Sequence, residues 1–482
     1  MFLIITKLSD VYFSSVSNKE IEYKRVIFHT LKDMGGVYIK FLQAICITHK
    51  FMDGWGGPKE FEVFNNVPQE DIDIYRCIPD MSIFSSIETI PFACGSFAQV
   101  YRGYLKDNTK VAVKVLRPSI FRDLKNDLKK LRRIIKLVGV FLPDTVIDYK
   151  SSFEEFSRNC LLETDYEREI ANMKYFSRLY KNHDYVVVPK VYEEYSSKYV
   201  IVQEFIEGPT LSDLIHNVGP DERLEDKSYG LTGSNIWRQL AIAGGEALRT
   251  AIVADYVFGD PHPGNIILLK NNKIAFIDFG IIANKPKSQK AFYLWCKAYY
   301  DILMGSDDFG NLLNTTCMCF CPDLANALKG CSVNNNMMDV IANALNMKAS
   351  VIGSNNSEAK NLIQNGHFMK LFSQVLDRNN ALKLKLDTHN FQLLKAMQSY
   401  LSSVNTIDTK YGNNDFAKIM IEAMEYAIGY CERVGISEDL IENTKYSIPE
   451  SYEILIDMMS SLANNDEFLF YNISERMNVN YE

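Results

Sequence analysis

The feature that most constrains this chain is a pair of acidic motifs that lie close together in the sequence. Residues 258–265 read FGDPHPGN, and residues 276–280 read FIDFG. Two short β-prone runs accompany them, at 266–269 and 274–277, so the second run delivers Asp278 at its end. Carboxylate and amide oxygens presented this way are ligands suited to a magnesium ion.

Phosphoryl transfer requires a carboxylate near the attacking oxygen, together with oxygen ligands for a metal that bridges the phosphates. We expect Asp260 to orient or deprotonate the acceptor, and Asn265 and Asp278 to bind the metal. Each motif alone has a plainer explanation, in which Asp260 and Pro261 form a turn that Asn265 caps. His262 stands between two prolines, and we interpret it as a residue that shapes the loop.

A lysine at the inner end of an apolar strand is the third element. Residues 97–104 and 109–116 are β-rich runs separated by a polar turn at 106–108, and the second run contains the sequence VAVK, which ends at Lys114. Burying an ammonium group is costly unless it meets an anion. We therefore expect Lys114 to hold ATP phosphates and to be held by a carboxylate. A strand-edge lysine that reaches water is the alternative, but the order of the three motifs favours the nucleotide site.

The segment before this strand departs from ordinary protein kinases, which place a Gly-x-Gly-x-x-Gly turn over the phosphates. Residues 91–100 read PFACGSFAQV, with a single glycine. Glycine readily adopts positive φ, whereas its neighbours here are stiffer. We predict that Ala93, Cys94, Gly95 and Ser96 form a phosphate-covering loop; a plain turn before a strand is the alternative.

The carboxylate partner of Lys114 is predicted on the second of two helices. The first helix, at about 118–142, is basic, and the second spans about 153–180. Asp165 and Glu169 lie at i and i+4, which places them on one helix face. Glu169 is expected to pair with Lys114; an acidic face in solvent is the alternative.

Together these motifs resemble the UbiB/AarF/ADCK family of atypical kinases, which has a protein-kinase-like fold with an Ala-rich loop in place of the Gly-rich one. The strand lysine is followed by Arg-Pro, and the family's DPHPGN and DFG motifs are present in full. The resemblance spans residues from about 35 to 283. It implies that four residues form a family-specific lid and take part in cofactor binding: Lys40 and Gln43 of a Lys-x-Gly-Gln motif, and Glu163 and Asp165 of a Glu-x-Asp motif.

Two positions depart from the family pattern. Leu42 replaces the glycine of the Lys-x-Gly-Gln motif, which predicts an altered approach of the N-terminal helix. Gly95 stands where the last alanine of the Ala-rich loop is expected. We expect a Gly95→Ala substitution to change nucleotide preference or turnover.

The pattern of elements predicts an α+β, bilobal protein-kinase-like fold. We expect a helical N-terminal extension at 1–88, a β-rich lobe at 89–207 and a helical lobe at 208–482, with a hinge near Glu207-Gly208. Loops are predicted at 54–58, 332–336 and 353–356.

The composition indicates which kinds of partner, such as nucleic acid, a zinc ion or a membrane, this chain is suited to bind. The 482 residues are 47% hydrophobic and 23% charged, and the formal charge of −8 argues against nucleic-acid binding. Ten cysteines without a visible secretory signal are interpreted as reduced thiols, and Cys317, Cys319 and Cys321 lack the spacing of a zinc site. No apolar run approaches the ~20 residues of a membrane helix, so we expect a cytoplasmic protein, soluble or peripheral to a membrane. The basic amphipathic helix at 118–142 would suit anionic lipid, although we favour an ordinary surface helix with its apolar face in the core.

The family resemblance implies ATP and Mg²⁺ as cofactors, and ATP hydrolysis or phosphoryl transfer to a small molecule or lipid-pathway component. It also implies support of quinone or isoprenoid-lipid metabolism. A small-molecule phosphotransferase of the aminoglycoside/choline kinase type is the first alternative, but the Lys-x-x-Gln and Glu-x-Asp elements favour the atypical kinase. A non-catalytic, nucleotide-gated lipid-binding scaffold is the second, against which the retained Asp260 argues.

Overall fold

The computed structural model of the protein describes residues 19–34, 36–48, 69–141, 149–217, 233–306, 308–320 and 416–433, with several helical residues between 392 and 404. The chain divides into two compact units. Unit 1 comprises Met1–Lys181 and Val188–Ile206, and unit 2 comprises Asn182–Val187 and Glu207–Glu482.

The described strands are β1 (Phe84–Ile87), β2 (Ala93–Cys94), β3 (Ala98–Leu105), β4 (Lys110–Leu116), β5 (Val186–Val187), β6 (Val200–Glu204), β7 (Tyr256–Phe258), β8 (Ile266–Leu268), β9 (Ile274–Phe276) and β10 (Ile282–Asn284). The helices are α1 (Lys19–Met34), α2 (Gly36–Thr48), α3 (Ile74–Cys77), α4 (Pro118–Phe141), α5 (Tyr149–Glu163), α6 (Tyr166–Leu179), α7 (Leu211–Asn217), α8 (Gly233–Val253), α9 (Gln289–Leu303), α10 (Phe309–Phe320) and α11 (Phe416–Arg433).

Unit 1 is built on an antiparallel sheet of order β1-β3-β4-β6, with β2 paired to β3. The predicted hairpin is confirmed as β3 and β4, and Asn108 in its turn has a φ of 66°, a conformation that asparagine tolerates well. Alternate strand residues, including Tyr101, Val113 and Val202, form a buried core on one face of the sheet. Lys114 lies at the intervening position of β4, on the opposite face.

The helices of unit 1 follow the apolar pattern of the sequence. In α4 the apolar face is buried, with Leu124 at 5% and Leu131 at 0% exposure, whereas Lys129, Arg132 and their basic neighbours are exposed. The described apolar stripe of α4 therefore packs inside unit 1, whereas its basic residues and Phe121, which is 59% exposed, meet solvent.

Unit 2 combines small sheets with long helices. Strand β5 pairs in parallel with β9, which pairs with β8 in an antiparallel hairpin, and β7 pairs with β10. Helices α8 and α11 pack closely at Gly245, where an added Cβ would lie 2.8 Å from the ring of Tyr426, whereas the neighbouring Gly244 adjoins Tyr400.

Several predicted boundaries change. Residues 84–87, expected within a helical extension, form β1, since they pair with β3. The helix predicted at 153–180 is two helices, because Asp165 caps a new one at its N-terminus. The strand expected at 186–191 shortens to β5 and belongs to unit 2. The loops predicted at 54–58, 332–336 and 353–356 lie outside the described residues.

Among the described residues, no helix is both long and apolar enough to cross a membrane. The same residues contain no group of three or more histidine, cysteine, aspartate or glutamate side chains arranged to hold a metal ion.

Candidate functional site

Lys114 and Glu169 form a largely buried ion pair in unit 1. The Lys114 Nζ donates to both carboxylate oxygens of Glu169, at 2.8 Å and 3.0 Å, and lies 5.5 Å from the centroid of the Tyr166 ring. Glu169 is 1% exposed and the Lys114 side chain 16% exposed. The pairing predicted from the sequence is therefore present, and the ammonium group has the anion that its burial requires.

The Glu-x-Asp residues, Glu163 and Asp165, lie at the break between α5 and α6. Glu163 is the last residue of α5, and its carboxylate forms an ion pair with Lys40 of α2. The Asp165 carboxylate accepts a hydrogen bond from the backbone N–H of Arg168, 3.0 Å away, and caps α6. Glu169 lies one turn further along α6, so the cap sets the start of the helix that carries the partner of Lys114.

Lys40 also approaches the predicted phosphate loop. Its Nζ lies 4.7 Å from the centroid of the Phe97 ring, and Phe97 is buried. Leu42, two residues further along α2, is fully buried, so the position of the family glycine is filled by a core side chain. Gln43 lies on α2, but its side chain lies outside the described residues.

The loop itself is a tight turn between β2 and β3. The Gly95 N–H donates to the Ala98 carbonyl at 2.8 Å, while Cys94 and Ser96 are half-buried and Ala93 is exposed. Gly95 does not adopt a positive φ, and an added Cβ would meet the Ala98 oxygen at 3.6 Å, an ordinary contact. The expectation that glycine flexibility matters here is therefore not supported by the loop geometry.

In unit 2 the two acidic motifs flank one hairpin. Asn265 precedes β8 and Asp278 follows β9, and the pairing of Ile266 with Phe276 brings these two ends together. The backbone N–H of Ile277 donates to the Asn265 carbonyl at 3.2 Å, which joins the motifs directly.

The side chains of the first motif hold one another in place. The Asn265 Nδ2 donates to the Asp260 carbonyl at 3.1 Å and to its Oδ2 at 3.3 Å. The His262 Nδ1 accepts from the Gly264 N–H at 3.1 Å, as expected for a loop-shaping residue. A Cβ at Gly259 would lie 2.7 Å from the Ile282 backbone, so the close approach of β10 requires glycine immediately before Asp260.

Aromatic packing holds the second motif, residues 276–280, in place. Phe279 is fully buried, and its ring centroid lies 5.5 Å from that of Phe258, the residue at the end of β7. The Asp278 Oδ1 accepts from the Gly280 N–H at 3.0 Å, and the carboxylate is half-buried. Asn265 and Asp278 thus present hard oxygen donors at the same end of one hairpin, the donor type that Mg²⁺ prefers.

Two buried polar networks have no counterpart in the sequence-based prediction. In unit 1, Gln99, Tyr101 and Arg117 form a buried cluster behind the phosphate loop, where the Arg117 Nε donates to the Gly95 carbonyl at 3.0 Å. The sequence does offer one signal for the first network, an arginine directly after an apolar strand. This arginine belongs to the Arg-Pro motif, but the motif alone does not indicate its buried contacts.

The second network lies in unit 2 around Glu246 of α8, which is fully buried. Arg249 donates to it through Nε and Nη2, and the His183 Nε2 lies 3.0 Å from Glu246 and 2.9 Å from the Tyr426 hydroxyl. The His183 Nδ1 accepts from the N–H groups of Tyr185 and Val186, so Nε2 carries the proton toward Glu246.

Burial favours a raised pKa at Glu246, but the hydrogen bonds from His183 and Arg249 and the Arg249 charge outweigh it. The pKa of Glu246 falls to about 2. A glutamate three residues before an arginine in an otherwise apolar helix was the available signal for this buried ion pair.

Comparison with known proteins identifies a kinase-like family that matches part of this chain. The family described as the ABC1 atypical kinase-like domain matches residues 78–303. ACTIVITY OF BC1 COMPLEX KINASE 3, chloroplastic, from Arabidopsis thaliana is 31% identical over 227 residues, covering 46% of this chain and 30% of that protein. AarF domain-containing kinase 1 from Drosophila melanogaster is 31% identical over 266 residues, covering 52% of this chain and 48% of that protein.

A solved structure of Rv3197 from Mycobacterium tuberculosis, in complex with erythromycin, aligns over 84% of this chain and 88% of that chain, with 19% identity and a TM-score of 0.45. The chain matches less than two thirds of the length of its curated relatives. Residues 78–303 thus match the ABC1 atypical kinase-like domain, and over this part the chain is similar to AarF/ABC1 kinases.

Proposed function

We propose that the protein is an atypical kinase or ATPase that binds Mg-ATP. The observation that carries the proposal is the grip of the buried Glu169 carboxylate on Lys114, with both oxygens within 3.0 Å of Nζ. A buried ion pair contributes little net stability compared with apolar residues of similar volume. Its placement on the face of the sheet opposite the apolar core is better accounted for by a lysine held ready for phosphate oxygens.

The residues of unit 2 have complementary roles in this proposal. Asn265 and Asp278 would hold magnesium, which when bound neutralises charge on the phosphates. Asp260 accepts a hydrogen bond from Asn265, which orients its carboxylate. It would take a proton from an acceptor hydroxyl or from water.

The residues of the lid belong to the same proposal. Lys40 lies against Phe97 of the phosphate loop and is fixed by Glu163, so α2 and the end of α5 restrain the loop from one side. We assign Lys40, Gln43, Glu163 and Asp165 to cofactor binding through this arrangement, together with Ala93, Cys94, Gly95 and Ser96 of the loop.

The acceptor is proposed to be a small molecule or a lipid-pathway component, in support of quinone or isoprenoid-lipid metabolism. The exposed cations of α4 would meet anionic headgroups at a membrane surface; this face includes Lys125, Lys129, Lys130, Arg132, Arg133 and Lys136. Because the apolar stripe of α4 is buried, such contact would be electrostatic and would weaken with added salt.

ATP turnover separates the candidate functions. We expect magnesium-dependent hydrolysis that rises with anionic lipid vesicles and is lost in Asp278→Asn. Turnover that requires an added small alcohol would favour a phosphotransferase of the aminoglycoside/choline kinase type. Nucleotide binding without turnover under any condition would favour the scaffold and contradict the catalytic role of Asp260.

A further inference from the structure

The buried arginine behind the phosphate loop has a function that the Arg-Pro motif alone does not reveal. Arg117 is 6% exposed and lies where β4 ends and α4 begins. Its Nε donates to the Gly95 carbonyl at 3.0 Å, and its backbone N–H donates to the Phe97 carbonyl at 2.9 Å. One residue therefore holds two carbonyl groups of the turn that covers the phosphates.

These two hydrogen bonds direct the carbonyl groups of Gly95 and Phe97 toward Arg117. The Ala98 carbonyl is also engaged, by the Gly95 N–H. A carbonyl oxygen carries a partial negative charge and repels phosphate, whereas backbone N–H groups attract it. The direction in which the turn presents its dipoles therefore decides whether it favours or opposes phosphate binding.

A surrounding network keeps Arg117 in position. Glu70 accepts hydrogen bonds from the backbone N–H and the hydroxyl of Ser119, at 3.3 Å and 2.6 Å, two residues after Arg117. The buried Gln99 donates to the Glu70 carbonyl at 3.1 Å and to the Tyr101 hydroxyl at 2.8 Å. Burial lowers the pKa of Arg117, and the nearby Cys94 and Glu70 oppose that change, so the guanidinium remains protonated at neutral pH.

We propose that Arg117 is a positioning residue for the nucleotide phosphates, which acts by drawing the Gly95 carbonyl to the back of the loop and by placing a buried positive charge behind it. The inference rests on the proposed nucleotide function and deepens it. Arg117 does not touch the nucleotide in this account; it sets the orientation of the turn that does.

The effect is expected on phosphate recognition alone. In titration calorimetry with the full chain, Arg117→Ala weakens ATP binding by about tenfold or more, as expected for loss of a charged hydrogen bond, and leaves adenosine binding unchanged. Arg117→Lys keeps the charge without the planar donor, so its ATP affinity should lie between those of the parent protein and Arg117→Ala. The matched control is Arg122→Ala, because Arg122 lies on the same helix, is 75% exposed and pairs with Asp123; it should bind ATP as the parent protein does.

Hydrogen exchange supplies a readout that does not depend on nucleotide. Arg117→Ala should speed exchange at the Gly95 amide while the amides of β4 and β6 stay protected; if the sheet also loses protection, Arg117→Lys carries the test. Equal weakening of ATP and adenosine, or unchanged ATP affinity with a loosened turn, would overturn the positioning role. Failure of the parent protein to bind ATP at all would instead overturn the proposed function, and the inference with it.

Discussion

The two units hold their functional carboxylates by different means. In unit 1, Glu169 is buried and grips the Lys114 ammonium, so charge is balanced inside the protein. In unit 2, Asp260 and Asp278 are half-buried and accept hydrogen bonds from neutral amides, those of Asn265 and Gly280. A neutral donor leaves the negative charge of a carboxylate uncompensated, whereas a paired ammonium compensates it. Under the proposed function, unit 1 would therefore supply a cation for phosphates, and unit 2 would supply anions for a metal.

Removal of the cation of unit 1 is expected to have the largest effect. Lys114→Met should destabilise unit 1 by about 3–5 kcal/mol, because it leaves the Glu169 charge buried without its ammonium. Urea unfolding with a probe in the β-sheet measures the change. The double variant Lys114→Met/Glu169→Leu is the control and should recover most of the loss; if it is as unstable as the single variant, the buried charge is not the cause.

Unfolding at low pH tests whether the buried carboxylate of Glu246 in unit 2 is balanced by neighbouring positive charge, as Glu169 is in unit 1. The folded pKa of Glu246, about 2, lies below its ordinary value of 4.5. The stability it contributes is therefore complete above about pH 4.5 and is lost as pH falls toward about 2, a change of about 3 kcal/mol. Unfolding followed between pH 5 and 2 should show a shallower loss in Glu246→Gln than in Glu422→Gln, an exposed site on α11. Identical slopes would show that Glu246 does not carry this effect.

Helix packing in unit 2 gives a smaller effect. Gly245→Ala should cost about 1–3 kcal/mol, since the new methyl group would meet the Tyr426 side chain and the Ala423 carbonyl within 3.0 Å. Gly429→Ala is a matched change on α11, where the nearest atom is 3.9 Å away. It should be neutral or stabilising by about 0.5–1 kcal/mol. Thermal unfolding that ranks the two variants equally would contradict the close approach of α8 and α11.

The smallest effect is expected at Gly95. Because its φ is not positive and an added Cβ fits, Gly95→Ala should change stability by less than about 1 kcal/mol. ATP affinity should stay close to that of the parent protein, in contrast to Arg117→Ala. A large loss of affinity in Gly95→Ala would mean that the bound loop adopts a conformation other than the one described.

Much of the site was predictable because short-range rules dictate it. The strand ending in Lys114, the hairpin between the acidic motifs and the pairing of Lys114 with Glu169 all follow from local pattern and the need to balance a buried charge. The helix break at Asp165 was missed, although an aspartate cap is a local signal, because apolar periodicity continued through it. The contacts of Arg117 and His183 were not predictable, since they join residues to backbone groups whose positions depend on tertiary structure.

Under the proposed function, unit 1 recognises phosphates and unit 2 recognises the metal that accompanies them. Titration of ATP with and without magnesium, in the parent protein, Lys114→Met and Asp278→Asn, tests it directly. We predict that magnesium strengthens ATP binding in the parent, that Asp278→Asn removes this strengthening while retaining metal-free binding, and that Lys114→Met weakens binding under both conditions. Retention of the full magnesium effect in Asp278→Asn would contradict the assignment.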